Sequence, residues 1–314
     1  MANSGLYIAV ASALVVVGLT FGIPLFLAEY FPWQSLYKQR HGRPTVRTES
    51  YKGRTALITG ANGAFGSRAA KLFAHRDVET LVLVDVKNCG EVKQQIEKEL
   101  SDAGKPVPNI LVWEADLMSF AGCQELGKKA QELEHLDHVL MTAGILAFNR
   151  RESPEGWETS IQKLSNNKEG MEQAHQYGRS KGLLLYFARE LAARVATPSA
   201  KEKGVSKVTI NSADPGSAWT PLTNPNQAKL IPRLIMNFGA REPEICATAL
   251  VNGVSVSEKD HGNIMQDFDT APYPPFMNRK SGRIAQQRVW DETRAELEGK
   301  VPEVKAIYEM LDQQ

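Results

Sequence analysis

The sequence predicts an α/β domain built on a doubly wound parallel sheet, preceded by a membrane-spanning helix. Three observations predict this. Apolar runs of strand length alternate with segments of helical periodicity from Ala56 to Met141. A glycine turn, Gly60 to Gly66, joins the first run to the first helical segment, and Asp85 ends the second run. An uncharged stretch from Gly5 to Ala28 has the length needed to cross a bilayer core.

The N-terminal stretch is followed by Tyr30, Phe31 and Trp33, an interfacial aromatic belt, and then by Lys38, Arg40, Arg43 and Arg47. No basic residue precedes it, so the positive-inside rule puts the body of the protein in the cytosol. A cleaved signal peptide would carry a basic leader and a shorter apolar core. The expected organisation is an anchor over residues 1–31, a basic linker over 32–52, a nucleotide-binding domain over 53–290 and a C-terminal helix over 291–314. The expected location is the endoplasmic reticulum membrane, crossed once.

Ala56-Leu57-Ile58 reads as the first strand. Gly60, Gly63 and Gly66 let the chain turn tightly, with Phe65 inside the turn, and Ala69, Ala70, Leu72, Phe73 and Ala74 recur at helical spacing. Leu81 to Val84 is the second strand. Strand, glycine turn, helix, strand and a terminal acid form the layout of a dinucleotide-binding unit. The helix start meets a pyrophosphate with its amides and dipole, and Asp85 accepts hydrogen bonds from a ribose, favouring NAD over NADP.

Further elements follow in alternation. Glu91–Leu100 and Cys123–Leu133 read as helices, and Ile110–Trp113 and His138–Met141 as strands three and four. A helix carrying Tyr177 comes next, then a strand Val205–Ile210, a helix Glu244–Val254, a strand Asn263–Met265 and an amphipathic segment Val289–Leu311.

Several classes are disfavoured. The formal net charge of +1 offers no basic field for nucleic acid. The three cysteines, Cys89, Cys123 and Cys246, are too dispersed for a disulfide framework and fit a reducing compartment. The histidines show no metal-ligand spacing, and no metal site is assigned.

Five motifs occur in order: the glycine turn; Asp116-Leu117 after strand three; Thr142-Ala143-Gly144 after strand four; Tyr177-Gly178-Arg179-Ser180-Lys181; and Pro215-Gly216 with Thr220 beyond. In these the chain resembles the classical short-chain dehydrogenase/reductase family over about Lys52 to Val289, and within it the membrane-anchored fungal members of natural-product pathways. The resemblance implies a Rossmann-like fold and an NAD(P) cofactor. It implies that Asp116 contacts the adenine, that Ala143 and Gly144 lie against the cofactor, and that Pro215, Gly216 and Thr220 flank its carboxamide end. Tyr177 becomes the acid/base, and Lys181 holds the nicotinamide ribose and lowers the tyrosine pKa. Independently, a spacing of four puts Tyr177 and Lys181 on one helical face, where an ammonium favours the phenolate.

The sequence departs from the pattern in three places. Ala64 stands at the usual middle glycine, and a positive φ there would strain it; the Gly60/Gly63/Gly66 spacing resembles the extended branch that includes epimerases. Thr142 replaces a common asparagine. Between Ile145 and Tyr177 the family's long helix, fifth strand and catalytic serine have no counterpart. The sheet is therefore expected to be one helix–strand pair short, either closing up or leaving a gap with unpaired edges. Ser165 is the candidate replacement for the serine.

The reading is an oxidoreductase moving hydride between NAD(P)H and a carbonyl or secondary alcohol of a lipophilic small molecule. A catalytically impaired family member, or an extended-branch epimerase, stays open. The expected partners are that substrate and the membrane, and a homo-oligomer is undecided because the missing helix often forms the family's dimer interface.

Overall fold

The structure is a computed structural model that describes residues 37, 40–42, 47–144, 173–195, 208–221, 237, 239–266 and 269–312. Strands β1 (Thr55–Thr59), β2 (Thr80–Asp85), β3 (Asn109–Glu114) and β4 (His138–Met141) alternate with helices α1 (Gly66–His75), α2 (Gly90–Asp102) and α3 (Phe120–Gln131). They form one parallel sheet in the order β3-β2-β1-β4. The burial of each strand explains its sequence. β1 is buried throughout and the middle of β2 is buried on both faces, so both read as continuous apolar runs.

Each face of the sheet carries its own core. On one, Ile58, Leu81 and Leu83 pack with Phe73 of α1 and Ile96 and Leu100 of α2. On the other, Leu57, Val82 and Val84 meet Leu126 and Ala130 of α3. Helices thus cover both faces, as the alternation predicts.

After β4, helix α4 (Gln173–Val195) leads to β5 (Ser212–Asp214), α5 (Pro243–Val254), β6 (Ile264–Gln266), β7 (Asp269–Ala271), α6 (Pro275–Asn278), α7 (Lys280–Lys300) and α8 (Val304–Asp312). Here the expectations need correction. The strand expected at Val205–Ile210 is displaced: residues 208–210 are irregular and the strand is Ser212–Asp214. It does not extend the first sheet. β5 pairs in parallel with β6, and β6 antiparallel with β7, as a separate three-stranded sheet. The sheet has not closed up, and among the described residues no strand pairs with the outer edge of β4. The exposure of β4 follows: Val139 is 46% and Met141 79% exposed, while Leu140 points into the core.

Helix α5 joins the two halves. Its Leu250 and Val251 belong to the same core cluster as β1, β2 and α1, with Ala213 of β5 packed against it. The Asn211 side-chain amide donates to the Gly253 carbonyl at 2.6 Å. A Cβ at Gly253 would sit 3.0 Å from that of Ala213, a tight contact that glycine avoids.

The C-terminal segment is two helices and not one. It breaks at Val301-Pro302, where proline cannot continue α7, and α7 runs across the 290/291 boundary. Trp290 stacks on Phe187 of α4 and meets the Tyr308 ring of α8 edge-on, both at 5.3 Å. Asp312 pairs with Arg194 of α4 and Arg294 of α7, and Arg194 lies over the Trp290 ring. These contacts hold the far end of α4, the helix that carries Tyr177 and Lys181.

At the other end, the segment expected to be linker is partly built in. Tyr51 is 3% exposed, its amide donates to the Arg76 carbonyl at 2.7 Å, and its hydroxyl meets Ser255. The domain therefore begins ahead of residue 53. Arg40 donates to the Asn237 carbonyl at 2.7 Å. The apolar segment 5–28 lies outside the described residues; among those described, no helix is long and apolar enough to cross a membrane.

Leu140→Ala is expected to cost about 2–5 kcal/mol in urea denaturation and Trp290→Ala about 3–5 kcal/mol, both by cavity formation. Met141→Lys, at the same edge as Leu140, is expected to stay within about 0.5 kcal/mol.

Candidate functional site

The C-terminal ends of β3, β2, β1 and β4 lie side by side, and the loops leaving them make one rim. Gly60 leaves β1 with φ +71°, and a Cβ there would meet the Ala143 backbone at 2.8 Å. The turn closes on itself: the Gly63 amide donates to the Gly60 carbonyl at 2.9 Å, and Ala61 donates to Val84 of β2 at 3.1 Å. A Cβ on Gly66 would come within 2.1 Å of the Gly60 carbonyl oxygen, so this glycine is required by space and not by φ. Ala64 is not strained: the only non-glycine residue with positive φ among the described residues is Asp77.

Helix α1 begins here with no side-chain cap and no acid in its first turn. Its dipole therefore suits an anion at this end, although the Ser67 amide of its first turn is already taken by the Gly63 carbonyl at 3.0 Å. Phe65, at the N-cap position, packs its ring against the core. Arg68 donates back to the Ala64 carbonyl at 2.9 Å and pairs with Glu244, at the start of α5, at 2.6 Å.

Asp85 is tied to the turn. One carboxylate oxygen accepts the Asn62 amide at 3.0 Å and the other the Val86 amide at 2.8 Å, while the Asn62 side chain donates to the Lys87 carbonyl at 3.0 Å. Each oxygen retains a lone pair for a further donor. The Ala115 amide bonds the Asp85 carbonyl at 2.9 Å, which brings Asp116 alongside. Asp116 accepts from the Met118 amide at 3.0 Å, and Ser119 next to it caps α3 through the Gly122 amide.

At the end of β4, the Thr142 hydroxyl donates to the Thr59 carbonyl at 2.6 Å, and the Ala143 amide to the Thr59 hydroxyl at 3.3 Å. Thr142 thus fastens β4 to β1. Gly144 follows, and the position of its absent Cβ lies 3.7 Å from the Lys181 ammonium. Helix α4 thereby delivers Lys181 to the rim, next to the glycine turn. Desolvation by the surrounding protein pulls the Lys181 pKa below the ordinary lysine range, and the exposure of the residue limits that effect. Tyr177 lies one turn earlier on α4, and its side chain, like Ser165, lies outside the described residues.

Pro215 and Gly216 leave β5 in the second sheet. Gly216 has φ +77°, and its amide donates to the Asp214 carboxylate at 2.9 Å. Thr220 follows, half-buried. Sequence reasoning missed the residue behind this turn, Arg241. It is 4% exposed and donates to the Pro215 carbonyl at 3.3 Å. No motif flags it in the sequence, where it simply stands two residues ahead of the proline that opens α5.

The residues present fit a dinucleotide. An uncapped helix start beside a glycine turn suits a pyrophosphate, Asp85 and Asp116 offer acceptors along the rim, and the Gly60–Ala143 approach keeps the floor between β1 and β4 free of side chains.

Comparison with known proteins agrees with this geometry. The short chain dehydrogenase family model matches residues 54–166. Short-chain dehydrogenase anuD of Penicillium roqueforti is 24% identical, with 85% of this chain and 83% of that protein aligned. Short chain dehydrogenase sol3 of Alternaria solani is 28% identical over 196 residues, 61% of this chain and 60% of that protein. Among solved structures, an uncharacterized protein of Mycobacterium paratuberculosis superposes with a TM-score of 0.54 at 16% identity, covering 80% of this chain and 97% of its own. By these comparisons the chain is similar to short-chain dehydrogenases, the family model covering about a third of its length. The alignment with anuD spans 323 positions, more than the 314 residues of this entire chain, although only 85% of the chain takes part. The relative therefore carries internal residues with no counterpart here.

Gly66→Ala is expected to destabilise the fold by about 1–3 kcal/mol through overpacking, whereas Gly144→Ala, at ordinary contact distance from Lys181, leaves the melting temperature nearly unchanged. Lys181→Met removes an ammonium whose folded pKa is depressed. The parent is destabilised by that charge below the folded pKa and loses the penalty as pH rises to the ordinary lysine value. The variant's stability advantage should therefore shrink over the same alkaline window in pH-dependent denaturation.

Proposed function

We propose that this chain is an NAD(P)-dependent oxidoreductase that interconverts a carbonyl and a secondary alcohol on a lipophilic small molecule. The observation that carries the reading is the meeting of Lys181 with Gly144 at the end of β4, beside the glycine turn of β1. Gly60, Gly63 and Gly66 with the α1 amides would hold the pyrophosphate, Asp85 the adenosine ribose, and Asp116 the adenine. Ala143, Gly144, Pro215, Gly216 and Thr220 would line the nicotinamide end. Asp85 favours NAD, since a carboxylate repels a 2′-phosphate. When bound, the nicotinamide supplies hydride in reduction and takes it in oxidation.

The protein's own part is proton handling. In reduction the Tyr177 phenol gives its proton to the substrate oxygen as negative charge builds there; in oxidation the phenolate takes it back. The ammonium of Lys181, four residues along the same helix, stabilises that phenolate. The apolar segment 5–28, read as an anchor, motivates a membrane-bound location and a substrate that partitions into lipid, of the kind made in fungal natural-product pathways.

A second reading, cofactor binding without turnover, is favoured by the edge of β4, with which no strand pairs among the described residues, and by the additional residues of anuD. Both readings expect NADH or NADPH at a hundred times its Kd to stabilise the domain by about 2.7 kcal/mol in a thermal shift. They part on turnover with a panel of lipophilic ketones and alcohols. Tyr177→Phe is expected to lower kcat by about 10²–10⁴ while the thermal shift persists. A parent chain that binds cofactor and turns over no carbonyl would establish the second reading.

A further inference from the structure

Arg241 is a buried cation in a place the chemistry above does not use. Burying a guanidinium costs several kcal/mol unless its surroundings answer it, so what it touches is informative. Its side chain donates to the Pro215 carbonyl at 3.3 Å, and its amide donates to the Ser217 carbonyl at 2.8 Å. Ala218 and Arg241 form an isolated parallel bridge. The guanidinium also fills the space beside Gly216, where a Cβ would meet its Nη1 at 2.8 Å and its Cζ at 3.2 Å. With the Gly216 amide held by Asp214, three successive residues of the turn are each fixed by a hydrogen bond, two of them by Arg241.

The same residue is wired to the glycine turn of the first sheet. Arg241 lies next to Glu242, the N-cap of α5, and Glu244 in the first turn of that helix pairs with Arg68. Arg68 in turn donates to the Ala64 carbonyl inside the glycine turn. The buried thiol of Cys246, on the first turns of α5, feels Arg241, Asp214 and Glu244 together, so these charges share one small region. A line of contacts thus runs from the phosphate end of the rim to the turn leaving β5, crossing the break between the two sheets.

We propose that Arg241 is a positioning residue that holds the Pro215–Ala218 turn in the conformation needed to receive the nicotinamide end of the cofactor. The proposal rests on the NAD(P) reading above. Among the described residues β5 is not paired to β1–β4, so no strand contact described there fixes the turn. Arg241 supplies the position from the α5 side. A lysine replaces it only in part, since it keeps the charge but lacks the planar fork that reaches the carbonyl while filling the space over Gly216.

The test uses the full chain and three variants: Arg241→Lys, Arg241→Met and Gly216→Ala, with the double variant Gly216→Ala/Arg241→Met. Two quantities are read: NADH affinity by fluorescence titration, and amide exchange of residues 216–218 without cofactor. The expected result is about tenfold weaker NADH binding for Arg241→Met, equivalent to about 1.4 kcal/mol, with faster exchange confined to the turn. Arg241→Lys should give partial recovery, and the double variant should be no worse than Gly216→Ala, since both changes act on one turn. Unchanged exchange and affinity in Arg241→Met would overturn the proposal, as would additive losses in the double variant. A parent chain that binds neither NADH nor NADPH would overturn the NAD(P) reading, and this proposal with it. If Arg241→Met does not fold, Gly216→Ala reads the same turn from its other side, and unaltered affinity there would also count against the proposal.

Discussion

The backbone of Gly60 passes so close to Ala143 that no side chain could stand between them, and much of the molecule depends on that approach. It lets β4 lie in register beside β1, where the Thr142 hydroxyl and amide both reach the Thr59 carbonyl. It also sets where β4 ends, and Gly144 at that end is where Lys181 arrives. The helix that brings Lys181 is anchored far from the rim by Trp290, Tyr308 and the Asp312 pairs. One short contact and one distant aromatic clamp between them locate Lys181.

The first half of the fold was legible because its signals are local. Strand, glycine turn, helix and strand each have their own periodicity, and the two central strands are buried on both faces, so their sequences are unbroken apolar runs. The position of Gly60, Asp85, Asp116 and Gly144 on one rim was legible for the same reason, each lying at or just past the end of a clear strand. The second half was not. β5 is only Ser212-Ala213-Asp214, too short and too polar to signal a strand, and its partner β6 is equally short. The apolar run that drew the strand to Val205–Ile210 ends in Ile210, which instead packs against the cluster of Trp290 and Tyr308. Tyr51 and Arg241 were hidden because their roles come from contacts over long separations, with Ser255 and with Pro215, that leave no spacing pattern.

Among the described residues the two sheets are not joined by a strand. A four-residue edge with Met141 outward carries little hydrophobic burial of its own, and the sheet survives because α5 reaches both halves. Its Leu250 and Val251 close the core over α1 while its C-terminal turn lies against Ala213. Helix α4 is similarly held by its contacts with α7 and α8. What such an arrangement sacrifices is redundancy, since a displacement of about 1 Å at the reacting groups can cost a hundredfold in rate.

The reliance on α5 also has a bearing on how the chain is made. Everything needed for β1 to β4 has been synthesised by residue 144, yet the face of α1 that α5 covers must wait for residues 243–254. At ordinary synthesis speeds of about 5–20 residues per second, that interval is on the order of 5–20 s. For that time the nascent first half shows an apolar helix face to its surroundings. Chaperone occupancy during translation, and sensitivity of yield to synthesis rate, are where this domain's architecture is expected to be felt first in a cell.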